Sequence, residues 1–210
     1  MGQSWNAPAV RAAASALRGR APPGAAQLPD GAAHPLLPQL SVPTLSDVSA
    51  EALHRRGVRG VILDKDNTIT APYVDEVHPR AAPGLHALLR TFPGNVAILS
   101  NSAGTPDDSA HAQARRIERT LGVPVIRHEE KKPGGLSDVL DHFEGRVAPH
   151  ELAVVGDRLL TDVYFGNVHG MYTVHVGVLT LTGDNKAAAL VRFLENRVIL
   201  PWVLWADNTT

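Results

Sequence analysis

Two carboxylates separated by a single residue follow an apolar run in the first half of this 210-residue chain. The run Val61-Ile62-Leu63 is typical of a buried strand, and Asp64 and Asp66 come directly after it. Open α/β sheets carry their chemistry at the ends of such strands. One carboxylate placed there can attack an electrophile while the other transfers a proton, and both can help to hold Mg²⁺, which prefers oxygen ligands.

Further polar side chains occupy similar positions along the chain. Each follows a strand-like run or comes shortly before a helical segment: Ser100, Asn101, Lys132, Asp157 and Asp162. Because the strands of a parallel sheet all point the same way, we expect these residues at one edge of the sheet. Carboxylates, a hydroxyl and a lysine are together the groups that bind Mg²⁺ and a phosphate at one site.

Apolar periodicity predicts the elements that position these residues. Five apolar runs are strand-like, at 60–63, 96–99, 123–126, 152–155 and 172–176. Three segments between them repeat apolar residues at helical spacing, at 85–92, 110–121 and 136–143, and each ends near a glycine or proline. Alternating strands and helices predict an α/β fold, a Rossmann-like parallel sheet with helices on both faces.

The composition excludes several classes of protein. Apolar residues make up 44% and charged residues 20%, which is ordinary for a globular chain. The net charge of −1 provides no general attraction to nucleic acid, and no nucleic-acid partner is expected. Without cysteine there is no disulfide, thiolate zinc site or cysteine nucleophile. No apolar stretch approaches the roughly 18 to 20 residues that span a bilayer.

The set of polar residues resembles the haloacid dehalogenase superfamily of aspartyl-phosphate phosphatases. That superfamily shows a DxDx(T/V) motif, a Ser or Thr after a strand, a Lys, and an acidic GDxxxxD loop. The matching residues occur here in the same order: Asp64 to Thr68, Ser100, Lys132, and Gly156-Asp157 through Asp162. More narrowly, the runs 64–68, 100–104, 127–133 and 156–158 resemble the phosphatidylglycerophosphate phosphatases of mitochondria and plastids.

This resemblance implies a role for each matching residue. Asp64 would be the nucleophile that forms an aspartyl-phosphate, and Asp66 would protonate the leaving alkoxide and then activate water. Ser100 and Lys132 would hold the oxygens of the transferring phosphoryl group. The residues predicted to bind other parts of the substrate are Thr68, Asn101 and Arg158.

The resemblance also implies Mg²⁺ as the cofactor. Its predicted ligands are Asp64, the backbone carbonyl of Asp66, and Asp157. Asp162 would either join them or orient Lys132 or a metal-bound water.

The short intervals between the motifs bear on the substrate. Only 35 residues lie between Asp64 and Ser100, and 31 between Ser100 and Lys132, which leaves no room for a folded cap domain. An uncapped site suits a phosphate carried on something large. The resemblance implies phosphatidylglycerophosphate, which yields phosphatidylglycerol in the cardiolipin pathway. A phosphoprotein, a nucleic-acid end, or an inactive phosphate-binding module remain as alternatives.

Composition divides the chain into three parts. Residues 1–45 are Ala/Pro-rich, with arginines and no acid before Asp30, and form an organelle-targeting leader, a membrane-contact segment or a disordered extension. The Pro-rich stretch 22–43 is predicted to be irregular. Residues 46–183 form the phosphatase-like domain. Residues 184–210 form a helix and an apolar tail, whose run 198–205 either lies at a membrane interface or packs on the domain.

Together with these segments, the resemblance implies a peripheral membrane protein of the mitochondrion, on the matrix side of the inner membrane, or of the plastid.

Each motif also has a simpler explanation when it is taken alone. Ser100 and Asp157 are plausible helix caps, and Lys132 is a plausible surface lysine. The spacing after Asp64 also invites comparison with a calcium-binding loop, but Ile69 occupies the sixth position, where glycine is required. The joint occurrence of the motifs at four strand ends favours the enzyme.

Overall fold

The computed structural model describes residues 34–180, 195–199 and 201. The strands are β1 (Leu40–Val42), β2 (Gly60–Leu63), β3 (Val96–Ile98), β4 (Leu152–Gly156) and β5 (Tyr172–Val176). They form one parallel sheet in the order β1-β5-β4-β2-β3. This order places β2 between β4 and β3, so the residues after these three strands are neighbours at one edge.

Five α-helices accompany the sheet in the described part of the chain. They are α1 (Ala50–Arg55), α2 (Ala82–Thr91), α3 (Ala112–Leu121), α4 (Leu136–His142) and α5 (Tyr164–Val168). The Ser49 hydroxyl caps α1 by accepting the Ala52 N–H at 3.2 Å. Gly122, at φ 68°, ends α3 in the left-handed conformation that glycine adopts without strain. A wide turn of π-type, Leu159–Val163, leads into α5, and a second one lies at Glu195–Ile199.

The sheet separates two apolar clusters. In β2, Val61 and Leu63 belong to a cluster with residues of α1, α2 and α3, whereas Ile62 belongs to another with residues of α4 and α5. Successive side chains of a strand point to opposite faces, so a strand that is apolar throughout is buried on both. The predicted α/β fold, with a parallel sheet and helices on both faces, is confirmed.

The run 123–126, predicted as a strand, is not one. A single parallel bridge joins Val125 to Ile98, supported by two backbone hydrogen bonds of 2.8 Å. Pro124 has no N–H to donate to a ladder. The Val125 N–H is directed away from the sheet to the Glu118 carboxylate at 2.9 Å. The segment therefore lies beside β3 without extending the sheet.

The Pro-rich stretch 22–43, predicted to be irregular, contributes β1, which pairs with β5 at the edge of the sheet. Proline is tolerated at such edges because one side of the strand needs no partner. Asn167 of α5 holds the segment before β1 by donating to the carbonyls of Pro35 and Leu37, both at 2.9 Å. Packing and side-chain hydrogen bonds therefore produce an element that local composition did not predict.

Both terminal segments named in the sequence predictions lie largely outside the described residues. Residues 1–33 and most of the run 198–205 are among these, so their proposed leader and membrane roles stay predictions. Ile199 packs against the cluster of Leu36, Tyr164 and Val168. Within the described part of the chain, no helix combines the length and the apolar character needed to cross a bilayer.

We expect Gly84→Ala to destabilise the protein, although Gly→Ala within a helix usually stabilises by about 0.5–1 kcal/mol. A Cβ at position 84 of α2 would overlap the Leu45 carbonyl group of the turn packed against it. The expected loss in the free energy of unfolding is about 1–3 kcal/mol, measured by urea denaturation. His86→Ala, on the exposed side of α2, is the control and should change it by less than about 0.5 kcal/mol. A stabilised Gly84→Ala variant would contradict this packing.

Candidate active site

The sheet register brings the predicted site residues to one edge. Leu63, the last residue of β2, pairs with Val155 of β4 on one side and with Ile98 of β3 on the other. The Asp64 N–H continues this pattern by donating to the Val155 carbonyl at 2.9 Å. Asp64 is therefore held between the loops that follow β3 and β4.

The centre of this edge is an ammonium group between two carboxylates. Lys132 Nζ lies 2.7 Å from Asp64 Oδ1 and 2.5 Å from Asp162 Oδ1. The side chains of Lys132 and Asp162 are only 2% and 1% exposed. Burial alone lowers the pKa of Lys132, but the charges of Asp162 and Asp64 outweigh it and raise the pKa above its ordinary value. Lys132 is thus a fixed positive charge.

Three carboxylates surround a position suited to a divalent cation. One oxygen from each of Asp64, Asp157 and Asp162 lies within 4.8 Å of the others. Asp157 and Asp162 are buried, and Asp64 is partly exposed. A set of hard oxygen donors open on one side fits Mg²⁺ better than a metal that prefers sulfur or nitrogen. The chemistry of these side chains therefore fits the predicted cofactor.

Asp162 reaches this position because of the backbone around it. A Cβ at Gly156, the last residue of β4, would overlap the Asp162 carboxyl group, so only glycine allows the close approach. Both Asp162 oxygens accept hydrogen bonds, Oδ1 from Lys132 and Oδ2 from the Arg158 N–H at 3.2 Å. Burial raises the pKa of Asp162, whereas the neighbouring Lys132 opposes that rise. Of the two predicted roles for Asp162, its contacts favour the orientation of Lys132.

Asn101 has a partner that the sequence did not indicate. Its Oδ1 accepts the backbone N–H of Lys132 at 2.8 Å, so the predicted substrate-binding residue holds the lysine in place. The adjacent Ser100 is buried, and its hydroxyl lies 3.1 Å from the Ser102 hydroxyl. The loop after β3 therefore positions Lys132 through Asn101. The same loop carries the Ser100 hydroxyl, on the residue next to Asn101.

The Asp66 carboxylate has surroundings of its own. Its Oδ1 accepts hydrogen bonds from Lys65 Nζ at 2.7 Å and from the Tyr73 N–H at 3.1 Å. Burial raises the pKa of Asp66, and the charge of Lys65 only partly offsets that effect. The carboxylate is not part of the three-carboxylate group around Asp64. A metal contact through its backbone carbonyl stays a prediction.

Thr68 and Arg158, both predicted to bind substrate, lie in different settings. Thr68 is fully buried, and its hydroxyl has no hydrogen-bond partner among the described residues. Arg158 is 25% exposed, and its guanidinium lies 3.8 Å from the buried Glu195 carboxylate of the C-terminal turn. Their roles in substrate binding stay predictions.

Sequence reasoning missed two neighbours of the predicted residues, Lys65 and Glu195. Lys65 lies inside the DxD motif, and a lysine between two acids was the available signal. Glu195 lies more than 30 residues beyond the last motif, and no local pattern marks it.

Comparison with known proteins gives a consistent result. The chain matches the family model described as mitochondrial PGP phosphatase over residues 32–178. It is 42% identical over 167 residues to phosphatidylglycerophosphate phosphatase 1, chloroplastic, of Chlamydomonas reinhardtii, covering 79% of this chain and 62% of that protein. It is 36% identical over 169 residues to phosphatidylglycerophosphate phosphatase 1, chloroplastic/mitochondrial, of Arabidopsis thaliana, covering 80% and 48%.

A fungal relative matches over a larger share of its own length. The mitochondrial phosphatidylglycerophosphatase GEP4 of Saccharomyces cerevisiae is 38% identical over 143 residues, covering 66% of this chain and 76% of that protein. The matched region spans less than two thirds of the Chlamydomonas and Arabidopsis relatives.

We expect Lys132→Met to destabilise the protein by about 3–5 kcal/mol at pH 7 in EDTA, because it leaves buried carboxylates without their cation. Without the lysine, the pKa of Asp162 in the folded state lies above its value in the unfolded state. The deficit should therefore shrink as the pH falls through that raised pKa and the carboxylate takes up a proton. Urea denaturation at pH 7 and pH 5 measures both effects.

Lys131→Met is the matched control for this experiment. Lys131 forms an exposed ion pair with Asp107 at 2.7 Å, and its loss should cost less than about 1 kcal/mol at either pH. Equal costs for the two variants would contradict the importance of the buried group.

Proposed function

The chain belongs to the mitochondrial PGP phosphatase family, and from this we propose that it is a Mg²⁺-dependent phosphatase that hydrolyses phosphatidylglycerophosphate to phosphatidylglycerol and phosphate. The names of three relatives support the substrate. The observation that carries the proposal is the buried Lys132 ammonium, 2.7 Å from Asp64 and 2.5 Å from Asp162. A fixed positive charge beside a nucleophile is what phosphoryl transfer requires.

In the first step a carboxylate oxygen of Asp64 attacks phosphorus. A bond forms between that oxygen and phosphorus while the bond between phosphorus and the glycerol oxygen breaks. The proton of the Asp66 carboxyl group passes to the departing oxygen, which leaves as the hydroxyl of phosphatidylglycerol. Burial keeps the pKa of Asp66 above its ordinary value, which favours the protonated form that this step needs.

In the second step water hydrolyses the aspartyl-phosphate. The Asp66 carboxylate, now deprotonated, takes a proton from the water that attacks phosphorus. The bond between phosphorus and the Asp64 oxygen breaks, phosphate leaves, and both carboxyl groups return to their starting states. Asp66 therefore serves first as acid and then as base.

Lys132 and Ser100 act on the oxygens of the phosphoryl group. The Lys132 ammonium, already aimed at Asp64, stabilises the charge that these oxygens carry, and the Ser100 hydroxyl donates to another of them. Asp162 and Asn101 hold Lys132 at its ammonium and at its backbone N–H. This prior positioning reduces the reorganisation needed during reaction.

Asp64 and Asp157 are the carboxylates that would hold the metal, together with the backbone carbonyl of Asp66. Mg²⁺, when bound, neutralises charge on the phosphate and orients it toward the nucleophile. Asp162, with both oxygens in hydrogen bonds to Lys132 and Arg158, would keep the lysine beside this centre.

The stretches between the motifs support a large substrate. Between Asp64 and Ser100 the described chain consists of a loop, α2 and β3, and between Ser100 and Lys132 it contains α3 with its flanking turns. Neither described stretch carries an inserted domain over the site. We propose that the membrane surface supplies the missing cover and that the protein acts as a peripheral protein of the mitochondrial inner membrane, on the matrix side, or of a plastid membrane.

The activity is tested by phosphate release from four substrates, each with Mg²⁺ or with EDTA. They are vesicles containing phosphatidylglycerophosphate, a phosphopeptide, a 3′-phosphorylated oligonucleotide and p-nitrophenyl phosphate. We expect the lipid to react fastest, EDTA to abolish turnover, and added Mg²⁺ to restore it. Faster phosphate release from the peptide or the oligonucleotide would indicate that this compound, and not the lipid, represents the substrate. No turnover of any of the four would indicate an inactive phosphate-binding module.

We expect Asp64→Asn to lower phosphate release by at least roughly 10³-fold while leaving the fold intact, because the amide keeps the shape but lacks the attacking charge. Acid quenching during turnover of a radiolabelled substrate should trap a phosphorylated protein only in the wild type. Asp107→Asn, at the exposed partner of Lys131, is the control and should leave turnover unchanged. A labelled Asp64→Asn protein would exclude this residue as the nucleophile.

A further inference from the structure

Lys65, between the two acids of the DxD motif, is a buried lysine that the mechanism above does not use. Its side chain is 1% exposed, and buried lysines are retained only when their charge is compensated. The compensation comes from Asp66 Oδ1 at 2.7 Å, the Val74 carbonyl at 2.8 Å, and the Asp75 carboxylate at 3.6 Å. One ammonium therefore joins Asp66 to a separate loop.

That loop, residues 71–77, is closed by an antiparallel bridge between Thr70 and Val77. Its Tyr73 N–H also donates to Asp66 Oδ1, at 3.1 Å. On its outer side Arg116 contacts the second carboxylate oxygen of Asp75 at 2.6 Å. The 71–77 loop and Lys65 therefore hold the same oxygen of Asp66 from two directions.

The other oxygen, Asp66 Oδ2, accepts no hydrogen bond from the described residues. A carboxyl oxygen that already accepts two hydrogen bonds is a poor place for a proton, since the proton would face two donors. Oδ2 is therefore the oxygen that remains available to exchange a proton. The side chain of Asp66 is 24% exposed, so the carboxyl group is open to a substrate.

We propose that Lys65 is a positioning residue that holds Asp66 Oδ1 against the 71–77 loop, so that Asp66 transfers its proton through Oδ2. This inference rests on the proposed function and extends it to the acid–base group. In the first step the Oδ2–H bond breaks and the proton moves to the glycerol oxygen. In the second step Oδ2 accepts a proton from the attacking water.

The test compares leaving groups, because a general acid matters most when the leaving oxygen is strongly basic. Wild type and Lys65→Met are assayed with Mg²⁺ on two substrates. One is an alkyl phosphate, phosphatidylglycerophosphate in vesicles, and the other is p-nitrophenyl phosphate. We expect Lys65→Met to lower kcat roughly 10²-fold on the alkyl phosphate, the lower end of the gain from general acid–base catalysis. The first turnover of p-nitrophenyl phosphate, in which a weakly basic oxygen leaves without help from an acid, should change little.

Two further variants isolate the path through Asp66. In an Asp66→Asn background, Lys65→Met should cause no additional loss, since the group it positions is already absent. Arg116→Met is the matched control, because Arg116 is 60% exposed and contacts the same network only at Asp75. It should leave both substrates unaffected.

A chemical rescue is open because the chain contains no cysteine. Lys65→Cys can be alkylated with 2-bromoethylamine while unfolded and then refolded, which restores an ammonium at nearly the same reach. Recovery of alkyl phosphate turnover is expected. If Lys65→Met does not fold, Lys65→Gln, which keeps a hydrogen-bond donor without the charge, replaces it in every assay.

Equal losses in the first turnover of both substrates, or a further loss in the Asp66→Asn background, would overturn the role of Lys65. Failure of the ammonium rescue in a folded protein would do the same. An inactive wild type on all phosphates would instead overturn the proposed function, so the two failures are distinguishable.

Discussion

The structure depends on one buried positive charge, the Lys132 ammonium. An ion removed from water costs several kcal/mol unless opposite charges and hydrogen bonds surround it. Asp64 after β2 and Asp162 after β4 provide those charges, and Asn101 after β3 fixes the lysine backbone. Because these partners follow three different strands, no single loop provides all the groups that surround the ammonium. The electrostatic requirement therefore links the three loops at one site.

The backbone makes that charge cluster possible. A parallel sheet aligns the ends of β2, β3 and β4, and the paired registers of Leu63 with Val155 and Ile98 set their relative heights. Gly156 then removes the Cβ that would keep the Asp162 carboxyl group away from the end of β4. The sheet places the strand ends close together, and the absence of a side chain at Gly156 allows the Asp162 carboxyl group its close approach.

The site has a second side with a different construction. Around Lys132 the ammonium and the Asp162 carboxylate are almost wholly buried and are linked by charge. Around Asp66 the carboxylate is partly exposed and shares its Oδ1 between Lys65 and the Tyr73 N–H of the 71–77 loop. A fixed cation beside Asp64 and a partly exposed carboxylate at Asp66 suit the two successive transfers proposed above. The raised pKa of Asp66 follows from the same partial burial.

The sequence by itself determined the α/β fold, because apolar spacing reports burial on one face or two, and it placed Asp64, Ser100 and Asp157 at strand ends. It failed where tertiary contacts overrule local preference. Pro124 interrupts a run that reads as a strand, and side-chain hydrogen bonds hold β1 within a proline-rich stretch. Only the tertiary structure decided the pairings of Asn101 with Lys132, Lys65 with Asp66, and Arg158 with Glu195. Hydrogen-bond partners depend on side-chain direction and on how distant loops pack, and neither is written in the spacing of residues along the chain.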